Sequence, residues 1–175
     1  MGVKIKEKKL PQRKFTCLEM EIAISKLFPI RKHIIVPNVS WGLLNHEADL
    51  IIMRPTGVLI EIEIKVSVAD FKRDFEKRHG HRDSSNRISE FYYAIPLNLL
   101  DKCLSLIPEE AGIIVVQEFE YGKNEKSIYA KIEKSASKIK NSRKLTDKEQ
   151  FQLARLGCLR IFNLKNKLLS FKKQL

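Results

Sequence analysis

Two apolar, β-prone runs near the middle of this chain carry acidic residues that are costly to bury without a purpose. The first reads His46-Glu47-Ala48-Asp49-Leu50-Ile51-Ile52-Met53. The second follows Pro55-Thr56-Gly57 and reads Val58-Leu59-Ile60-Glu61-Ile62-Glu63-Ile64-Lys65. Short β-branched runs bounded by Pro and Gly are strands rather than helices. Leu50–Met53 and Val58–Lys65 are therefore expected as a hairpin across the Pro55–Gly57 turn. Successive strand side chains alternate faces, so Leu59, Glu61, Glu63 and Lys65 share one face and Val58, Ile60, Ile62 and Ile64 the other. The hairpin brings Asp49, at the start of one strand, near Glu63 and Lys65, at the end of the next.

That placement has a chemistry. Mg²⁺ prefers oxygen ligands, usually one or two carboxylates with waters and substrate phosphate. Asp49 and Glu63 can supply the carboxylates. A metal held there would acidify a water and neutralise charge on a phosphate. Lys65 could orient that water, assist its deprotonation or stabilise the transition state. A surface hairpin with alternating charges and a Lys–Glu pair is the competing reading.

The residues after Lys65 favour the site. Ser67 suits a helix cap, and Asp70 stands three positions on in a variant capping box. The predicted helix runs to about His79, with Gly80 as its stop. Val68, Phe71 and Phe75 give it one apolar stripe, with Lys72, Arg73, Lys77 and Arg78 around the remainder.

Asp49…Glu63-Ile64-Lys65 resembles the PD-(D/E)xK nuclease superfamily. The longer string from Glu61 through Lys65 to Ser67, Asp70 and Phe71 resembles its MmcB-like DNA-repair branch. Phe91-Tyr92-Tyr93-Ala94-Ile95-Pro96 and the stretch from Ile107-Pro108 to Val115-Val116 are similar to that branch's later strands. The resemblance covers roughly residues 15–120. Ala48 stands where the superfamily's short motif has its proline. The resemblance implies an α/β restriction-endonuclease-like core: a central mixed sheet flanked by helices, here with a long C-terminal helix. It also implies Mg²⁺ dependence, with Mn²⁺ able to substitute, and a nucleic-acid substrate. Carried over, Asp49 and Glu63 are metal ligands and catalytic residues, and Lys65 is the catalytic lysine. In several branches a first-helix glutamate completes the metal site. Of Glu19 and Glu21, on a helix expected over about Thr16–Phe28, Glu21 is the choice.

Other polar residues are weighed individually. Glu47 and Glu61 could be further ligands, but Glu61 is expected as an exposed strand charge. His79 and His81 flank Gly80 without a third zinc ligand nearby. They suit the negative end of a helix, or they join a phosphate-contacting loop over Arg78–Arg87. Lys72, Arg73, Lys77, Arg78, His79, His81 and Arg82 are the candidate nucleic-acid contacts. Trp41 is expected as an anchoring aromatic rather than a base-stacking one.

The charge distribution agrees with a polyanion partner. Residues 1–14 carry a net +5, residues 15–122 a net −4 and residues 123–175 a net +11, within a whole-chain charge of +12. Clustered carboxylates thus sit between basic flanks, which favours salt-sensitive polyanion binding. No apolar run reaches the ~20 residues of a membrane span. Cys17, Cys103 and Cys158 lack metal or disulfide spacing, which fits a reducing cytoplasm.

The expected organisation is a flexible basic arm at 1–14, a nuclease-like core at 15–133, a basic linker at 134–145 and a C-terminal helix at 146–175. Further strands are expected at Ile34–Val36, Phe91–Ile95, Gly112–Phe119 and Ser127–Ile132, with a helix at Leu97–Leu106. Thr146 and Glu149 form a capping box for a helix over about Asp147–Ser170. That helix either packs on the domain or serves a homodimer or protein partner. The expected function is Mg²⁺-dependent hydrolysis of DNA phosphodiester bonds in repair, recombination or mobile-element processing, with RNA left open. The alternatives are a non-catalytic DNA-binding module on the same fold and an adaptor in a repair complex.

Overall fold

The computed structural model describes residues 13–40, 42–76, 86–121 and 125–172. Trp41 and most of the expected basic loop lie outside them, as does residue 1–12 of the expected arm. The described chain is α/β. It runs α1 (Cys17–Ser25), β1 (Ile34–Val39), β2 (Ala48–Met53), β3 (Leu59–Ile64), α2 (Val68–Glu76) and β4 (Ile88–Pro96). Then come α3 (Leu100–Cys103), flanked by 3₁₀ turns, β5 (Gly112–Tyr121), β6 (Glu125–Lys134) and α4 (Asp147–Lys172). One six-stranded sheet has its strands in sequence order, with β3–β4 and β4–β5 parallel and the other pairs antiparallel.

The hairpin forms where the sequence places it. Gly57 N–H donates to Arg54 O at 2.9 Å and Arg54 N–H to Val58 O at 2.9 Å. Gly57 takes a φ of 78°, a left-handed conformation that glycine adopts without steric cost. Pro37 lies inside β1, so that strand extends beyond the expected Ile34–Val36. Proline is tolerated there because β1 is an edge strand. The helix expected over Leu97–Leu106 is instead one short α-helical turn between two 3₁₀ turns.

The alternation along β3 divides the core. Ile60, Ile62 and Ile64 pack with Met20, Ala23 and Ile24 of α1 on one face. On the other face Leu59 joins Val36, Ile51, Met53 and Leu153 of α4. Farther across that second face, Phe71 of α2 and Cys103 of α3 pack on Tyr93, Ile95, Ile113 and Val115. Glu63 pairs with Tyr93 in the parallel register, so Glu61, Glu63 and Lys65 lie on the second face, between its two apolar clusters.

The stretch at 134–145 is tied to the core rather than spanning free space. Ser137 N–H donates to Glu110 O, Ile139 N–H to Ser89 O, Arg143 N–H to Asn86 O and Leu145 N–H to Gly57 O, at 2.7–2.9 Å. The capping box that opens α4 is present: Thr146 N–H donates to Glu149 Oε2 at 2.9 Å, and Glu149 N–H to Thr146 Oγ1 at 3.4 Å. The same carboxylate receives Arg143 through two nitrogens at 2.7 Å and Arg87 Nε at 2.8 Å. One residue thus caps the helix and bolts it to the start of β4. Of the outcomes left open for α4, its N-terminal half packs on the domain through Leu153 and Leu156.

The Arg143 hydrogen bonds, helped by Thr146 and Arg87 against the opposing effect of burial, hold the Glu149 carboxyl far below the usual carboxylate range. Its stabilisation is therefore complete above the unfolded-state value and is lost as pH falls toward the folded one. Glu149→Gln should cost about 2 kcal/mol at neutral pH. The gap from wild type should shrink steadily below a pH of about 4.5, as followed by urea denaturation across that range.

Candidate functional site

The register Leu50↔Ile62, Ile51↔Glu61 places Asp49 one step beyond the last paired residues of β2 and β3, across from Glu63. There the carboxylate replaces the ladder. Asp49 Oδ2 accepts the Ile64 N–H at 2.8 Å, which ties the two strand ends through a side chain. Lys65 leaves the strand at once, with its own N–H on Ala94 O at 2.9 Å. Its Nζ donates to Glu63 Oε2 at 3.0 Å. Glu63 and Lys65 are only 5 % and 6 % exposed. The structure brings Asp49, Glu63 and Lys65 together at one end of the sheet.

Glu21 reaches the same region from α1. Burial, then the nearby charge of Asp49, pushes its carboxyl above the usual range, while a hydrogen bond with Asn38 opposes the shift. The Cys17 thiol, one turn earlier, is raised by desolvation first and then by Asp49, Asp70 and Glu21. These responses put Glu21 within electrostatic reach of Asp49, and Cys17 within reach of Asp49, Asp70 and Glu21. Glu19 serves differently: Thr16 N–H donates to its Oε2 at 2.9 Å, so it closes the capping box of α1 and pairs with Arg13. Among the described residues no three His, Cys, Asp or Glu side chains form a preassembled metal cage.

The start of α2 follows the expected pattern with one difference. Asp70 N–H donates to Ser67 Oγ at 3.1 Å, but the Asp70 carboxylate reaches back to Val66 N–H at 3.4 Å, one residue before the cap. Phe71 is then buried against Tyr93, ring centroids 4.6 Å apart. Lys72 and Arg73 are exposed, with Arg73 3.5 Å from Asp70. Lys77, Arg78, His79, His81 and Arg82 lie outside the described residues.

Glu61 corrects the sequence expectation. It is not an exposed strand charge but fully buried at 0 % exposure. Its Oε1 lies 2.7 Å from His46 Nε2, and His46 Nδ1 lies 3.0 Å from Asn45 Oδ1. Each ring nitrogen thus faces an oxygen partner, which fixes the orientation of the ring. Sequence reasoning passed over His46 and Asn45 because a loop residue has no periodicity to betray its target. The available signal was a histidine three positions before Asp49, in the segment leading into the carboxylate-bearing strand.

The described chain is an α/β protein whose mixed sheet carries a buried carboxylate–lysine pair at the end of a central hairpin. The chain belongs to the DNA repair protein MmcB-like family, whose model matches residues 7–167. That membership connects the protein with DNA repair. A solved structure of a Silicibacter pomeroyi protein of unknown function has the same fold. It aligns over 93 % of this chain and 96 % of its own, with a TM-score of 0.59 and 15 % identity. No curated protein matches the chain. No helix among the described residues is long and apolar enough to cross a membrane.

His46→Ala removes the 2.7 Å contact made to a fully buried carboxylate. It should therefore destabilise the fold by about 2 kcal/mol. Adding Glu61→Gln should recover more than half of that loss, as read from a double-mutant cycle by urea denaturation.

Proposed function

We propose that this protein is a divalent-metal-dependent nuclease of the PD-(D/E)xK type that hydrolyses DNA phosphodiester bonds during repair. The observation that carries this reading is the meeting of Asp49, Glu63 and Lys65 at one end of the β2–β3 hairpin, with Lys65 Nζ 3.0 Å from Glu63. The donor set suits a hard cation. Mg²⁺ takes one or two carboxylates and completes its shell with waters and phosphate, and the charge of Asp49 already raises the Glu21 carboxyl. Asp49 and Glu63, with Glu21 behind them, would hold Mg²⁺ or Mn²⁺. The ion, when bound, would lower the pKa of a water and offset phosphate charge.

The chain's own groups do the rest. Asp49 keeps one oxygen on the Ile64 N–H, which fixes its rotamer and leaves the second oxygen for a ligand. Lys65 is held by Glu63 in a nearly dry position, where an ammonium acts more strongly on a developing phosphorane charge than it would in water. Lys72 and Arg73, exposed on α2, are suited to the flanking phosphates. Lys77, Arg78, His79, His81 and Arg82 are proposed to extend that contact. The cytoplasm is the proposed compartment.

A second reading, a DNA-binding module without hydrolysis, has one observation in its favour: Lys65 and Glu63 satisfy each other in a closed, buried pair. The two readings separate on a panel of single-stranded, nicked, flapped and branched DNAs with Mg²⁺ or Mn²⁺. Asp49→Ala and Lys65→Ala should each lower cleavage by at least about 10²-fold. Binding measured with Ca²⁺ should stay within a few-fold. Metal-dependent cleavage that survives both substitutions removes the assigned centre. Salt-sensitive binding with no cleavage of any substrate selects the second reading.

A further inference from the structure

Helix α4 is longer than the sheet it rests on, and where the excess projects is informative. Three contacts give its direction. At its start, Leu145 N–H bonds to Gly57 O in the β2–β3 turn, the end of the hairpin away from Asp49. Midway, Gly157 passes so close to β1 that a Cβ there would sit 3.4 Å from Val36. Then Arg160 donates to the carbonyl of Asn38. Asn38 immediately precedes Val39, the register partner of Ala48, so it lies at the Asp49 end of the sheet. The helix therefore travels along β1 toward the candidate centre and continues past it. Residues 161–172 are all exposed, a projection of roughly 18 Å at 1.5 Å per residue.

The face matters as much as the end. Leu153 packs with Leu59, and Leu59 shares its face of β3 with Glu61 and Glu63. Helix α2 packs on the same face across Tyr93. The carboxylate–lysine row thus lies between two helices, with Lys72 and Arg73 on α2 and the projecting end of α4 opposite. After Glu149 the sequence has six Lys/Arg and no Asp or Glu. Lys165, Lys167 and Lys172 lie on the projection itself. A second copy of the segment would bring these lysines against their like with no carboxylate to answer them. Phosphates supply the missing counter-charge.

The projection also exposes aromatic rings that a duplex backbone would not use. Phe162 is 62 % and Phe171 64 % exposed, and Lys165 Nζ stands 5.5 Å from the Phe162 ring centroid. Cations interleaved with exposed aromatics form the surface that takes single strands, with phosphates on the lysines and bases on the rings. We infer that the projecting end of α4 is a single-strand-binding arm that guides unpaired nucleic acid into the centre. This rests on the reading of that centre as a nuclease, and it names the strand state that the nuclease receives.

The test uses full-length protein with Ca²⁺ and a fluorescein-labelled oligothymidine, read by anisotropy over a salt series. K165E/K167E/K172E should weaken binding at least tenfold and lower the slope of log K against log salt by about 2, given ~0.7 per phosphate on single strands. Phe162→Ala should weaken oligothymidine binding about fivefold and leave a blunt duplex unchanged. K138E/K140E/K144E makes the same charge change near Ser89 and Asn86, at the other end of the sheet, and should cost less than about threefold. The arm is overturned if the first variant binds like wild type, or if the control loses as much. It is also overturned if sedimentation shows a dimer that L164D/L168D dissociates, because a second copy then covers the projection. The arm is read by binding with Ca²⁺ and the nuclease reading by cleavage with Mg²⁺, so loss of the one and loss of the other give different results. The binding outcome stands even if no cleavage is seen.

Discussion

Strand β3 buries every one of its six residues, and two of them are glutamates. An isolated carboxylate cannot enter a protein interior without a large desolvation penalty, so each requires a partner at the moment the sheet forms. The fold supplies them from two directions. His46 comes from the loop before β2 to meet Glu61. Lys65 folds back from the end of the strand onto Glu63. Asp49, half-buried beside them, spends one oxygen on a backbone N–H that the diverging strands leave without a ladder bond. The β1–β2 loop and the end of β3 both meet this one row of charge.

The second constraint is the attachment of α4. A helix with so many exposed apolar side chains would not find a single orientation by burial alone. Its seat is set by the shared carboxylate of Glu149, by the backbone bonds of residues 137–145 and by Gln152, which donates to Gly42 O at 2.9 Å. Gly42 lies in the same loop that delivers His46 to Glu61. The helix and the buried charge row are therefore braced against one loop.

Much of this was legible in the sequence, for reasons that are local. The period-two alternation of Leu59, Glu61 and Glu63 placed the charges on one face, and Pro55 and Gly57 marked the hairpin turn. Thr146 and Glu149 announced the start of α4. The illegible parts are those decided by distant chain. Nothing near Glu61 shows that it is buried, because its partner His46 arrives from fifteen positions away across a loop. Nothing in β1 shows that Pro37 belongs to the strand, because only the strand's place at the sheet edge makes proline acceptable there. The likeness of residues 134–145 to a linker came from their polarity. What ties them down is backbone hydrogen bonding, which composition does not report.

The charge row also bears on the proposed reading of the centre. Replacing a buried ion pair by apolar residues of similar volume is often neutral or stabilising. The neighbours of Glu61 and Glu63 on the other face, Ile60, Ile62 and Ile64, show that this strand readily accepts isoleucine. An all-apolar β3 would hold the sheet together at lower electrostatic cost and would free His46 and Lys65 from their duties. The chain instead keeps Glu61, Glu63 and Lys65 together, and keeps Asp49 and Glu21 close enough for the charge of one to raise the carboxyl of the other. Local conflicts with the simplest fold mark functional sites. The buried charges of β3 fall on the face that α2 and α4 leave between them.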